Sequence, residues 1–163
     1  MTPVPEDRAE VLRMWHSFRQ ATTTEAELTD AFAFGDSPAM ADKLADLVLR
    51  GPKRATAALL LEYVRDSEPV PRPGEHSVVL DGRGRPVCVV RTTDVQIKPL
   101  RSVDAAFVWD EGEGDRSLIW WRRAHREYFS RRCEAFGVRF SEDLPVVFER
   151  FEVVWPSPEG EGR

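Results

Sequence analysis

The spacing of apolar residues predicts three long helices along this chain. In each of them apolar side chains recur every three or four positions and therefore share one face. The predicted helices span residues 5–20, 38–50 and 117–136. The second has a clear start, because Asp36 or Ser37 can cap its first turn and Pro38 suits its first position. Gly51 and Gly137 follow the last two helices, where glycine tolerates the left-handed conformation that often ends a helix.

Other segments alternate or are rich in β-branched residues, and these predict strands. Residues 77–80 and 86–95 are rich in valine, and the turn between them, Asp81-Gly82-Arg83-Gly84, is typical of a hairpin. Residues 145–155 alternate between apolar and polar and predict a late strand. The tail from Pro156 is polar and glycine-rich, and we expect it to be loose.

The remaining short segments complete the predicted order of elements. Residues 25–33 and 103–109 indicate two short helices, whereas the apolar run 57–64 fits a strand or a helix. This order alternates too little for a doubly wound parallel sheet. It predicts an α+β protein with a small mixed or antiparallel barrel flanked by helices.

The length and composition fit one cytoplasmic domain. A chain of 163 residues with 42% apolar residues can build a core without metal or disulfide staples. Cys88 and Cys133 have no zinc-site spacing, and we expect both to be small core residues. The N-terminus has no apolar signal segment, and no stretch is long enough to span a bilayer. A net charge of −5 argues against an extended nucleic-acid coat but leaves room for a local basic groove.

The candidate chemistry begins at residues 51–56, which read Gly-Pro-Lys-Arg-Ala-Thr. Lys53 offers a cation or a tunable amine, and Thr56 offers a hydroxyl that a base could activate. The order of residues is not that of a phosphate-binding P-loop, because Pro52 precedes Lys53 and Arg54 follows it. The alternative interpretation is a helix end followed by a solvated basic pair.

The last predicted helix has two different faces. Trp121 and His125 lie on an apolar line, and Arg122 and Arg126 lie on another face. One interpretation is a core stripe beside a solvated face, with His125 as a hydrogen-bonded packing residue. The other is a face that follows phosphates, with Trp120 or Trp121 as a stacking surface.

An acidic loop precedes that helix. Glu111, Glu113 and Asp115 can form a solvated loop whose charge favours the helix N-terminus. Three carboxylates can also hold a hard cation such as Mg²⁺ or Mn²⁺, but the sequence shows no supporting ligand pattern elsewhere. We therefore expect no metal site and no cofactor, although this loop leaves room for a divalent cation.

Taken together, several segments resemble the ASCH domain family, whose fold is a small β-barrel related to the PUA domain of RNA-modifying proteins. The segments are Phe34-Gly35-Asp36-Ser37, residues 51–56, Pro73-Gly74-Glu75, residues 90–95, the loop 111–115 with Trp121 and His125 downstream, and Phe148-Glu149-Arg150-Phe151. They cover about residues 32–155. The resemblance implies a PUA-like domain over residues 32–163, with residues 1–31 as an N-terminal helical extension packed on it.

The resemblance also implies a site. The family is associated with RNA and nucleosides, and some members resemble single-stranded ribonucleases. Smaller relatives remove an acyl group from N4-acylated cytidine with a Lys and a Thr of this motif and a downstream Glu. On this chain those residues correspond to Lys53, Thr56 and Glu113, with Glu111 as the rival acid.

The first function that the resemblance implies is RNA binding with ribonuclease-type cleavage of single-stranded RNA. The alternatives are an amidohydrolase of N4-acylated cytidine nucleosides and a non-catalytic RNA-binding module. Substrate contacts are expected from Arg54, Arg122, Arg126 and Trp121. The expected partner is RNA or a nucleoside and not a membrane, and the oligomeric state is left open, with a homodimer as one option.

Overall fold

The structure is a computed structural model that describes residues 8–157. The start of the first predicted helix and the end of the predicted loose tail lie outside the described residues. The elements in chain order are α1 (Arg8–Thr22), β1 (Leu28–Ala33), α2 (Pro38–Arg50), β2 (Ala55–Leu59), α3 (Leu60–Arg65), β3 (His76–Leu80), β4 (Pro86–Pro99), a 3₁₀ turn (Leu100–Ser102), α4 (Ala105–Glu111), α5 (Leu118–Phe136) and β5 (Pro145–Trp155).

The three long helices are α1, α2 and α5, and their caps follow the sequence closely. The Ser37 side chain accepts a hydrogen bond from the Met40 amide at the start of α2, and Ser117 caps α5 in the same way. Gly137 ends α5 with a left-handed φ of 67°. Gly51 differs from the prediction, because it ends α2 in an extended conformation with φ −116°. The backbone conformation at position 51 therefore does not require glycine.

The structure changes the interpretation of two short segments, residues 25–33 and 57–64. Residues 25–33 were predicted to be helical, but their second part is strand β1, which pairs in parallel with β3. Pairing with a neighbouring strand outweighs the weak helical pattern of so short a run. The run 57–64, for which the sequence allowed a strand or a helix, contains both. Strand β2 ends at Leu59, and helix α3 begins at Leu60.

The five strands form an open sheet with the order β1-β3-β4-β5-β2. The β3–β4 hairpin is antiparallel, as is the β2–β5 pair, so the sheet is mixed. The predicted α+β class with flanking helices is confirmed, and the word barrel describes the open sheet only loosely. The predicted boundary at residue 31 stays a prediction.

The described chain divides into two compact units. The first contains residues 8–51, 72–94 and 151–157, and includes α1, α2, β1 and β3. Its core contains Phe34 and Val48 in one cluster and Trp15 and Phe18 in another. Cys88 is fully buried in this unit, as predicted for a small core residue.

The second unit contains residues 52–71 and 95–150, and so includes β2, α3, α4 and α5. Alternate residues of β2, such as Ala55 and Ala57, pack against Trp121 and Phe148 in one core cluster. Cys133 is buried in the same cluster, and burial raises the pKa of its thiol. None of the helices in the described ranges combines the length and apolar character that crossing a membrane requires.

Candidate active site

The site lies within the second unit and is centred on Lys53, just before β2. Only 1% of Lys53 is exposed, so its ammonium group must be satisfied by the protein. The Nζ atom donates to the carbonyl oxygen of Ala55 at 2.7 Å and to Oε2 of Glu113 at 2.9 Å. Oε1 of Glu111 lies 3.9 Å from the same ammonium. A buried cation is thus paired with two carboxylates, one from the last residue of α4 and one from the loop that follows it.

Glu111 is the centre of the hydrogen bonds on the other side of this group. Its Oε2 accepts from the indole N–H of Trp121 at 2.8 Å, and its Oε1 lies 2.8 Å from Nε2 of His125. Trp121 and His125 are one turn apart on α5, and their rings stack with centroids 3.8 Å apart. One face of α5 therefore fixes the Glu111 carboxylate from two directions.

The groups around the two ring nitrogens of His125 favour its charged form. Nε2 faces the Glu111 carboxylate, and Nδ1 lies 3.0 Å from the carbonyl oxygen of Trp121. Both partners are acceptors, so the ring satisfies them only when both nitrogens carry a proton. Burial lowers the pKa of His125, but the charge and hydrogen bond of Glu111 outweigh it and the pKa is raised.

The two carboxylates have opposite pKa shifts. Burial raises the pKa of Glu111, but the charges of His125 and then Lys53 dominate and lower it to about 2. Burial also raises the pKa of Glu113, and the neighbouring Glu111 charge adds to this, so that the attraction of Lys53 does not restore its usual value. The surroundings therefore favour the ionised form of Glu111 and make Glu113 the more easily protonated of the two carboxylates.

The loop that carries both acids is pressed against the segment before β2. Gly112 ends α4 with φ 69°, and a Cβ at this position would lie 2.7 Å from the carbonyl carbon of Pro52. The Arg54 amide donates to the carbonyl oxygen of Asp110 at 2.7 Å. This close approach of two backbone segments sets the distance between Lys53 and Glu113.

Among the predicted catalytic residues, the structure brings Lys53 and Glu113 together. Of the two candidate acids, Glu113 makes the hydrogen bond to Lys53, and Glu111 is engaged by Trp121 and His125. Thr56 is half-buried on β2, where its strand partner is Glu149. Side chains alternate along a strand, so Thr56 lies on the face of β2 opposite to its buried neighbours Ala55 and Ala57. The catalytic roles themselves stay predictions.

The predicted substrate-binding residues lie in different surroundings. Arg54 is half-buried beside the site and donates to the Lys53 carbonyl oxygen at 2.6 Å. Arg122 and Arg126 are exposed on α5, and Arg126 pairs with Glu142 at 2.5 Å. Trp121 is 1% exposed, so its ring is a core residue and does not offer a stacking surface. Its contribution to the site is the hydrogen bond that holds Glu111.

Arg150 and Asp110 lie in this region, although the sequence alone assigned neither of them a role in the site. Arg150 on β5 lies 2.9 Å from Oδ2 of Asp110, and its guanidinium lies over the Phe107 ring. The pair helps to fix the end of α4, immediately before the two acids. The signal was the adjacent charges of Glu149 and Arg150 between apolar residues of β5, because charges seldom interrupt a buried strand without partners.

Glu111, Glu113 and His125 also present ligand atoms within 4.8 Å of one another, which is close enough for a metal ion. These atoms already have partners, because His125 binds Glu111 and Glu113 accepts from Lys53. A cation here would compete with the positive charge of Lys53 for the same carboxylates. The residues therefore fit an ammonium-centred site better than a metal site, and the expectation of no cofactor stays a prediction.

Comparisons with known proteins agree with this architecture. The family model for the ASCH domain matches residues 30–155. A crystal structure of an ASCH domain from Lactobacillus crispatus is 35% identical to this chain with a TM-score of 0.79, and the match covers 90% of this chain and 92% of that one. A protein from Enterococcus faecalis is 29% identical with a TM-score of 0.81, and the match covers 95% and 96% of the two chains. No curated protein matches the sequence significantly.

The fold is that of a PUA-like α+β domain, and the chain belongs to the ASCH domain family. The resemblance inferred from the motifs is thereby confirmed. The family is generally associated with RNA binding.

Proposed function

We propose that this chain is a hydrolase of single-stranded RNA in which Glu113 transfers the proton and Lys53 supplies a fixed positive charge. The observation that carries the proposal is the 2.9 Å contact between Lys53 and Glu113, two groups far apart in sequence. Glu113 keeps 17% of its side chain exposed, whereas Lys53 and Glu111 keep 1% each. Glu113 is therefore the member of the group that a substrate can reach.

In ribonuclease-type cleavage, Glu113 takes the proton of a 2′-hydroxyl group, and the resulting oxygen attacks the adjacent phosphorus. The bond from phosphorus to the 5′-oxygen breaks, and that oxygen receives a proton from Glu113 or water. The raised pKa of Glu113 suits both halves of this transfer, because a proton-transfer group works best near the operating pH. The positive charge of Lys53 stabilises the extra negative charge on the phosphoryl oxygens.

A second candidate is hydrolysis of the acyl group of N4-acylated cytidine. The observation that favours it is the small exposed area of the Lys53–Glu113 pair, because a small nucleoside reaches an enclosed carboxylate more easily than a polymer backbone does. In this reaction Glu113 would take the Thr56 hydroxyl proton as Thr56 attacks the acyl carbon, and would give it to the leaving N4 amine as the amide bond breaks. Water would then hydrolyse the acyl-threonine ester, releasing the carboxylic acid and restoring the hydroxyl group. Thr56→Ala separates the two candidates, since RNA cleavage does not use that hydroxyl.

The test is a set of single substitutions assayed on labelled single-stranded RNA and, separately, on N4-acetylcytidine. Glu113→Gln keeps the size of the side chain and can still accept from Lys53, but it cannot carry the proton. We expect it to lower turnover by about 100- to 10,000-fold. Glu127→Gln is the matched control, because Glu127 is exposed on α5. Lys53→Ala is compared with Lys43→Ala on the exposed face of α2.

The outcomes distinguish the candidates. RNA cleavage that requires Glu113 and Lys53 but survives Thr56→Ala supports the ribonuclease. Deacylation that is lost in all three variants supports the amidohydrolase. RNA binding without turnover of either substrate contradicts both and leaves a binding module. Full activity of Glu113→Gln on its substrate would refute the proton-transfer role.

A further inference from the structure

Trp109 is a large aromatic residue at the surface of the second unit, in the last turn of α4. It is 58% exposed, although tryptophan is usually largely buried. Two other tryptophans lie near the loop: Trp121 is fully buried, and Trp120 is partly buried against the core and close to Gly114. Trp109 is therefore not placed by core packing, and its position needs another explanation.

The Trp109 ring is held from one side by Arg116. The guanidinium carbon of Arg116 lies 3.5 Å from the ring centroid. Its Nε and Nη2 atoms both donate to the Trp109 carbonyl oxygen, at 2.9 Å and 2.6 Å. A guanidinium bound in this way covers one face of the ring. Because the residue is nevertheless 58% exposed, much of that exposure must come from the uncovered face and the ring edge.

The backbone of Arg116 is in a strained conformation. Arg116 has φ 63°, in the left-handed region that residues other than glycine rarely occupy. Such strain persists where the surroundings fix it, and it concentrates at functional sites. Here the Arg116 amide donates to the carbonyl oxygen of Glu113 at 3.1 Å, so the strained residue also closes the turn that carries the exposed acid.

Trp109 and Arg116 thus bracket the loop that contains Glu111 and Glu113. We infer that the open face of Trp109 is a stacking subsite for a nucleobase of the substrate, placed beside the acid that transfers the proton. The inference rests on the proposed function and adds to it the part of the substrate that the protein binds, a nucleobase. An aromatic ring backed by arginine is suited to this, because every base has a π-face and such stacking tolerates any sequence.

The experiment measures binding of two probes to the full chain by fluorescence anisotropy. One probe is a short labelled oligocytidine RNA, and the other is an abasic ribose-phosphate oligomer of the same length and charge. Trp109→Ala should weaken oligocytidine binding by about 5- to 150-fold and leave abasic binding unchanged. Trp109→Phe should restore most of the affinity. Ile119→Ala is the control, because Ile119 is 76% exposed and apolar but is not part of the ring pair.

Either of two results overturns the inference: wild-type oligocytidine binding that Trp109→Ala does not weaken, or an equal loss of both probes. Absence of oligocytidine binding by the wild-type protein overturns it as well. The binding assay is independent of turnover. Trp109-dependent binding in a protein that cleaves neither RNA nor N4-acetylcytidine would support the subsite and refute the proposed hydrolase. RNA cleavage that Trp109→Ala does not change would support the hydrolase and refute the subsite.

Discussion

Replacing Gly112 with alanine tests whether the close approach of two backbone segments builds the site. Gly112 and Gly137 form a matched pair, because each ends a helix with nearly the same left-handed φ, 69° and 67°. A Cβ on Gly137 would meet nothing within 4 Å, whereas a Cβ on Gly112 would lie 2.7 Å from the Pro52 carbonyl carbon and 2.8 Å from the Lys53 nitrogen. The two variants share the backbone strain and differ in the contact.

The magnitudes follow from that difference. A left-handed alanine costs about 1–2 kcal/mol, and this applies to both variants. The new contact in Gly112→Ala is with backbone atoms that cannot rotate away, so the loop must move by roughly 0.7 Å to reach an ordinary separation of 3.4 Å. Overpacking of this kind costs about 1–3 kcal/mol more. Urea unfolding of the two variants and the wild type measures both free energies.

The same displacement separates Glu113 from Lys53, so Gly112→Ala should also lose activity where Gly137→Ala does not. A misplacement near 1 Å can lower turnover by about 100-fold. The assay is the one used for the proposed function, at a temperature at which all three proteins are folded by circular dichroism. Equal free energies of unfolding and equal activities for the two alanine variants would refute the reasoning, because they would show that the contact at Pro52 sets neither the stability nor the site.

Three further predictions concern buried charges and thiols. Because the pKa of Glu111 is lowered to about 2 from an ordinary 4.5, its contribution of about 3 kcal/mol is complete above pH 4.5 and is lost as the pH falls towards 2. Urea unfolding between pH 4.5 and 2.5 should show a smaller loss for Glu111→Gln than for the wild type. Arg132→Ala should destabilise the protein by about 1.5–3 kcal/mol, since it removes a charged hydrogen bond of 2.7 Å to the buried Glu62 carboxylate; an effect below 1 kcal/mol in the same assay would contradict this. Cys88 and Cys133 should react with a thiol reagent only after unfolding, because both are buried; rapid labelling of the folded protein would contradict it.

The sequence predicted the three long helices, and the resemblance pointed to Lys53 and Glu113, which the structure brings together. The caps at Ser37 and Gly137 are local signals, and local signals can be interpreted without knowing the fold. Residues 25–33 were misinterpreted because β1 is defined by its parallel partner β3, which lies far along the chain. The choice of Glu113 over Glu111 came from the resemblance, since spacing alone does not distinguish two glutamates in one loop.

The hydrogen bonds around Glu111 could not be predicted from the sequence for a different reason. Trp121 and His125 have the spacing of an ordinary core stripe, and both are indeed buried. Their polar atoms point at a carboxylate that belongs to another element, and apolar periodicity carries no information about such a contact. A buried histidine within an apolar helix face needs a hydrogen-bond acceptor nearby. The acidic segment that precedes α5 in the sequence could supply that acceptor.

Lys53 and Glu113 are 60 positions apart in the sequence, and this separation has a consequence for how the protein is made. Lys53 leaves the ribosome well before its carboxylate partners have been synthesised, and closing a loop of this length costs about 3.6 kcal/mol of chain entropy. The ammonium group therefore stays hydrated in the nascent chain and can be enclosed only after α4 and the following loop have folded onto it. Any activity that depends on this pair is accordingly a late event in folding, and a chain truncated before residue 113 cannot have it.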